Sequence, residues 1–107
     1  MKKPMEGQPA EKAAGKSQRL VAGEELTLNR RAAFRTTCQL ILDDASVTEI
    51  VVDLRDTRWI DSTGLGMLLE LREIARQSGK RVALANASAG VREHLDTAHF
   101  EHLFELR

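Results

Sequence analysis

The stretch Trp59-Ile60-Asp61-Ser62-Thr63-Gly64-Leu65-Gly66 gathers three small oxygen-bearing side chains at the point where an apolar strand gives way to a leucine-rich helix. Residues of those types can do four things there. Asp, Ser and Thr are preferred helix N-caps, since their side-chain oxygens accept hydrogen bonds from the unpaired N–H groups of the first turn. A cap uses one oxygen, and three stand in a row. A serine can also be a hydrolytic nucleophile, but the nucleophile elbow needs Gly-x-Ser-x-Gly, and here Ile60 holds the first glycine position while Thr63 separates Ser62 from Gly64. The three histidines, His94, His99 and His102, all lie far along the chain, with nothing to bring a base to Ser62. A nucleotide cradle is the third possibility. Leu69 stands where a dinucleotide fingerprint needs its third glycine, and no Gly-Lys-Ser/Thr sequence occurs. A bare helix N-terminus remains a weak phosphate site. The fourth is covalent: a hydroxyl at an exposed helix start is open to a kinase, and a phosphate there adds about −1.5 to −2 of charge.

The elements around this corner follow from periodicity. Glu49–Leu54 is a β-branched apolar run of the kind covered on both faces in parallel sheets. From Thr63 to about Ser78, Gly64, Met67, Leu68, Leu71, Ile74 and Ala75 form one helical stripe, closed by Gly79 at the usual C′ position. Leu65, Leu69, Arg72 and Arg76 form a second row, off that stripe, leading up to the hydroxyls. This row is either a contact with the sheet edge or an exposed docking ridge. Upstream, Arg19–Leu28 reads as a β-type stretch turned at Gly23. Asn29 reads as the cap of a helix over residues 30–45 with Phe34, Thr37, Cys38, Ile41 and Ala45 inward. Downstream, Arg81–Ala85 is a strand, Ser88 caps a helix facing inward through Val91, Leu95 and Ala98, and Phe100, Leu103, Phe104 and Leu106 form a short strand or final turn. The alternation β, α, β, α, β, α predicts a single α/β domain with a mostly parallel sheet packed with amphipathic helices.

Composition bounds the rest. At 107 residues with 42% apolar content the chain builds one core. Sixteen basic and sixteen acidic residues leave no net charge, so there is no electrostatic footprint for nucleic acid or an anionic membrane. The basic excess sits in residues 1–17, a Lys-, Glu-, Ala-, Gly- and Pro-rich leader expected to be disordered, which leaves residues 18–107 as the domain. The opening residues lack the apolar run of a signal peptide, and no segment approaches a membrane span, so a cytoplasmic location is expected. Cys38, the single cysteine, cannot form an internal disulfide and reads as a buried hydrophobe. No carboxylate or thiol pattern completes a metal site with the histidines, and no cofactor is expected. Trp59 reads as a packed shoulder at the strand edge.

The segments VVDLRDTRWIDSTGLGMLLELREIARQSGKRVALAN and VREHLDTAHFEHLF resemble the STAS domain family, and within it the bacterial anti-sigma factor antagonists. That resemblance implies a non-enzymatic module. Ser62 would be phosphorylated by a serine kinase of the histidine-kinase-like ATPase type, and a PPM-type phosphatase would reverse the step. The unphosphorylated form would bind an anti-sigma factor or switch kinase. Asp61 would assist recognition or phosphotransfer, and Gly64 and Gly66 would let the partner approach. With the helical row read above, the expected partner face comprises Asp61, Thr63, Gly64, Leu65, Leu69 and Arg72, and Thr63 stays open as a second phosphorylation site. The opening GEELTLN departs from the family pattern, with Thr27 where an aspartate would fall. A STAS regulatory subunit of a membrane transport complex, docking through the same helix without phosphorylation, is the alternative, and a small-ligand or nucleotide sensor is a third.

Overall fold

A computed structural model describes residues 15–107. Residues 1–14, which make up most of the expected leader, lie outside the described residues. Lys16 and Ser17, at the leader's end, already belong to the sheet.

In chain order the elements are β1 (Lys16–Val21), β2 (Glu25–Leu26), a 3-10 turn (Leu28–Arg30), α1 (Arg31–Leu42), β3 (Val47–Asp53), β4 (Trp59–Ile60), α2 (Ser62–Gln77), β5 (Arg81–Ala85), α3 (Ala89–Thr97), a second 3-10 turn (Phe100–His102) and β6 (Glu105–Leu106). The main sheet runs β1-β3-β5-β6, a separate pair joins β2 to β4, and every pairing is parallel. This is the expected α/β architecture, with the β2–β4 pair added. Two-residue strands carry no periodicity, so their pairing is invisible in the sequence.

β3 is central. Ile50 and Val52 are fully buried on its inner face, as is Leu54 just past its end, with Leu20 from β1 and Leu84 from β5 alongside. Each such side chain stabilises the fold by about 1.5–3 kcal/mol through its removal from water. The expectation that β3 is covered on both faces needs correction. Its other face meets Ser17, Arg19, Val21, Arg81 and Ala83; Val51 is only half-buried and Val21 is exposed. Polar contacts organise that face: Ser17 donates to Glu49 at 2.9 Å, and the Arg19 guanidinium meets Asp53 at 2.7 Å.

The first helix also differs from expectation. The 3-10 turn takes up Asn29, so α1 begins at Arg31 behind Arg30, without a side-chain cap. It ends at Leu42 because the Asp44 carboxylate accepts from both the backbone N–H and the hydroxyl of Ser46, which turns the chain out of the helix. Its inner face is Phe34, Cys38 and Leu42; Thr37 and Ala45 are exposed. In α3, Ser88 caps as expected, accepting from the Val91 N–H at 3.2 Å, whereas Ala98 lies past the end and is exposed. The apolar tail divides into both of its expected forms, a 3-10 turn and a short strand, with the buried Phe100 and Phe104 rings stacked at 5.2 Å.

Cys38 is buried against α2, and burial, reinforced by the nearby Glu70 charge, pushes its thiol up to about 12. It therefore stays protonated at pH 8. Alkylation by iodoacetamide in the native protein is expected to be far slower than in urea, and equal rates in the two conditions would contradict this packing.

Candidate functional site

The corner between β4 and α2 is assembled from both ends of the chain's first half. Asp61 is the N-cap of α2: its Oδ1 accepts from the Gly64 N–H at 2.7 Å. The second carboxylate oxygen, Oδ2, accepts from the Leu28 N–H at 3.3 Å, and the Asp61 N–H donates to the Leu26 carbonyl at 3.4 Å. One side chain thus starts the helix and fastens the β2 loop to it. In the same loop Thr27 donates its hydroxyl to Glu25 at 2.5 Å, and it is the Leu28 backbone that ties the loop to Asp61.

With the cap supplied by Asp61, Ser62 and Thr63 occupy the first two helical positions. Among the described residues neither hydroxyl makes a hydrogen bond within the protein. Ser62 is exposed and Thr63 half-buried. Of the three oxygen-bearing residues, one performs the capping and two do not.

The two glycines also separate. Gly64 is buried, and a Cβ on it would stand 1.9 Å from the Leu26 carbonyl oxygen. It lets α2 begin against the β2 backbone, an intramolecular use of the glycine. Gly66 is exposed, with nothing within 4 Å of an added Cβ. Of the outer row, Leu69 is exposed, Leu65 is half-buried against the core, and Arg72 is half-buried with its Nε donating to the Leu103 carbonyl at 2.8 Å. Only part of that row is a free ridge.

Trp59 is the residue the sequence misplaced. It is 57% exposed, with the Arg58 guanidinium 5.2 Å from its ring centroid, a cation–π stack in place of the expected packed shoulder. Because β4 alternates, Ile60 points into the core and Trp59 outward, beside Asp61 and Ser62. Across a shallow cleft from Thr63 and Gly66 lies Arg31, the first residue of α1, without an ion-pair partner among the described residues.

The expected absence of any metal-ligand set also needs correction. Glu101 joins His99 and His102, and one ligand-capable atom from each lies within 4.8 Å of the other two. The grouping was hidden because His99 adopts a left-handed backbone (φ 60°, ψ 35°) that breaks the helical spacing on which the sequence reading relied.

Replacing Asp61 by alanine is expected to cost about 1–2 kcal/mol, since both the cap and the loop clamp are lost. Asp61→Asn, which keeps an acceptor oxygen for Gly64, should recover most of that. Chemical denaturation of the two variants checks the difference; equal stability of Asp61→Ala and wild type would remove Asp61 from this role.

The family model described as "Mlab, STAS domain" matches residues 10–106. The chain belongs to the STAS domain family. A STAS-domain containing protein of Pseudomonas aeruginosa is 38% identical over 90 residues, which cover 78% of this chain and 89% of that protein. Among solved structures, the STAS domain of a SulP transporter from Vibrio cholerae matches 90% of this chain and 79% of its own, with a TM-score of 0.70 at 17% identity. The Bacillus cell fate determinant SpoIIAA in its phosphorylated form matches 83% and 78%, with a TM-score of 0.60 at 20% identity. These likenesses establish the STAS fold, which occurs both in SpoIIAA, an anti-sigma factor antagonist, and in a transporter domain, so function has to be argued from the STAS corner itself. No described helix is long and apolar enough to cross a membrane.

Proposed function

We propose that this STAS domain is a phosphorylation-controlled protein-binding switch, an anti-sigma factor antagonist that acts by binding and has no catalytic role of its own. The observation that carries this reading is the division of labour at the corner. Asp61 alone caps α2, so the exposed Ser62 hydroxyl has no structural task. Unphosphorylated, the corner offers Ser62, Thr63, the Trp59 ring, Gly66 and Leu69 as a mixed apolar and hydroxyl surface for an anti-sigma factor or a serine kinase of the histidine-kinase-like ATPase type. A phosphate on Ser62 would place a dianion in the middle of that surface, and a PPM-type phosphatase would remove it. Asp61 keeps the backbone in position for such a transfer. The likeness to an antagonist known in a phosphorylated form supports the reading.

The test is reconstitution. The chain is mixed in turn with the histidine-kinase-like serine kinases encoded in its native genome, and complex formation is followed by size-exclusion chromatography before and after ATP is added. The expected result is a complex that dissociates as Ser62 acquires phosphate; a complex that persists on the fully phosphorylated chain would overturn it.

A second reading, a STAS regulatory subunit of a membrane transport complex, is favoured by the likeness to the SulP transporter domain. In that reading the same α2 surface docks permanently and Ser62 is never modified. Permease genes beside this one, and co-purification with their products, would favour it.

A further inference from the structure

We infer that His99, Glu101 and His102 form a surface binding site for a borderline divalent transition metal ion such as Zn²⁺, Ni²⁺ or Cu²⁺. This goes beyond the switch, which does not involve these residues. The 3-10 turn Phe100–His102 follows α3 directly, and its period of three places His102 over His99, with the His102 N–H donating to the His99 carbonyl at 3.2 Å. The two rings lie with centroids 6.0 Å apart. Glu101 points between them: its Oε2 is 3.8 Å from His99 Nδ1 and 3.4 Å from His102 Nε2.

Those separations suit coordination. Ligand bonds of about 2.0–2.2 Å around a tetrahedral ion place neighbouring donor atoms roughly 3.3–3.6 Å apart. The Glu101–His102 distance is already there, Glu101–His99 is close, and the widest separation in the set is within 4.8 Å. All three side chains are exposed, so rotamer changes alone can close that gap. Two imidazoles and one carboxylate select Zn²⁺, Ni²⁺ or Cu²⁺ over the oxygen-seeking Mg²⁺ and Ca²⁺. Three protein ligands leave at least one coordination position open to water, so the ion would exchange readily.

The backbone gives a second reason to look here. His99 stands just past the end of α3 with φ +60°, a conformation that glycine adopts freely and that costs other residues about 1–2 kcal/mol.

The test uses the full chain with no histidine tag, titrated calorimetrically with Zn²⁺ and with Ni²⁺ at pH 7.4. The chain has three histidines, so His94 serves as an internal control. One ion is expected per chain. Affinity should fall at least about tenfold in His102→Ala and in Glu101→Gln, a loss at least as large as that from disturbing the surroundings of a metal ligand, and stay unchanged in His94→Ala. His99→Gly relaxes the left-handed backbone while removing the ligand, so its weaker binding would not be a folding artefact. No heat of binding in the wild type would overturn the site, as would affinity lost in His94→Ala but kept in His102→Ala.

Discussion

Gly64→Ala is expected to destabilise the domain by about 3 kcal/mol, the upper part of the usual range for overpacking, and to lower its melting temperature by roughly 12–24 °C. The added methyl carbon would lie 1.9 Å from the Leu26 carbonyl oxygen, and that oxygen belongs to backbone. A flexible side chain could swing aside. Leu26 cannot, since its side chain is fully buried, it is paired with Ile60 in the β2–β4 ladder, and its carbonyl accepts from Asp61. Relief requires α2 to move away from β2, which would pull Asp61 from the Leu26 carbonyl and the Leu28 N–H that hold the helix start to the β2 loop. Gly66→Ala, two positions on, is the control. Its methyl meets nothing within 4 Å, and alanine in place of glycine within a helix adds up to about 1 kcal/mol. Thermal melts of the two variants should therefore move in opposite directions. Equal, small shifts would mean that the β2–α2 contact yields easily, and the fixed geometry given to the Ser62 corner would be wrong.

The second large effect concerns binding. Ser62→Glu is expected to weaken the complex with the partner at least about tenfold, or 1.4 kcal/mol, and full phosphorylation more, because a charge placed against a desolvating surface costs several kcal/mol. The fold should hardly notice. An anion at the first helical position is favoured by the helix dipole by about 0.3–1 kcal/mol, and the neighbouring Asp61 carboxylate takes back part of that. Melting temperature and far-UV circular dichroism of Ser62→Glu should therefore match wild type while affinity falls. Ser62→Ala should bind like wild type and resist regulation. Retained affinity in Ser62→Glu, or a collapsed fold, would contradict a switch that acts on the surface alone.

How much of this was legible in the sequence depends on how local each cause is. α2 was readable because its stripe of Gly64, Met67, Leu68, Leu71 and Ala75, together with Gly79 at its end, is set by near neighbours: those five are buried and Gly79 has φ +74°, while Ile74, expected in the same stripe, lies at its margin and is exposed. The core positions of β3 were readable for the same reason, but not the polar character of its second face, which depends on Arg19 and Arg81 arriving from neighbouring strands. Asn29 looked like a cap because its type favours one; the 3-10 turn from Leu28 shifted the helix start past it. At the functional corner the sequence presented Asp61, Ser62 and Thr63 as equivalent oxygens. Which of them caps the helix is decided by the position of Leu28, 33 residues earlier. The difference between Gly64 and Gly66 likewise depends on where the β2 backbone runs. Trp59 was misjudged because a strand of two residues gives no alternation from which to assign its outward face.

The central claim is that Ser62 carries a regulatory phosphate, and intact-mass analysis with site mapping on the protein isolated from its native cells tests it most directly. A fraction heavier by one phosphate, mapped to Ser62 and missing in Ser62→Ala cells, is the predicted result. A chain that carries no phosphate under any growth condition would contradict the switch and favour the transport-subunit reading.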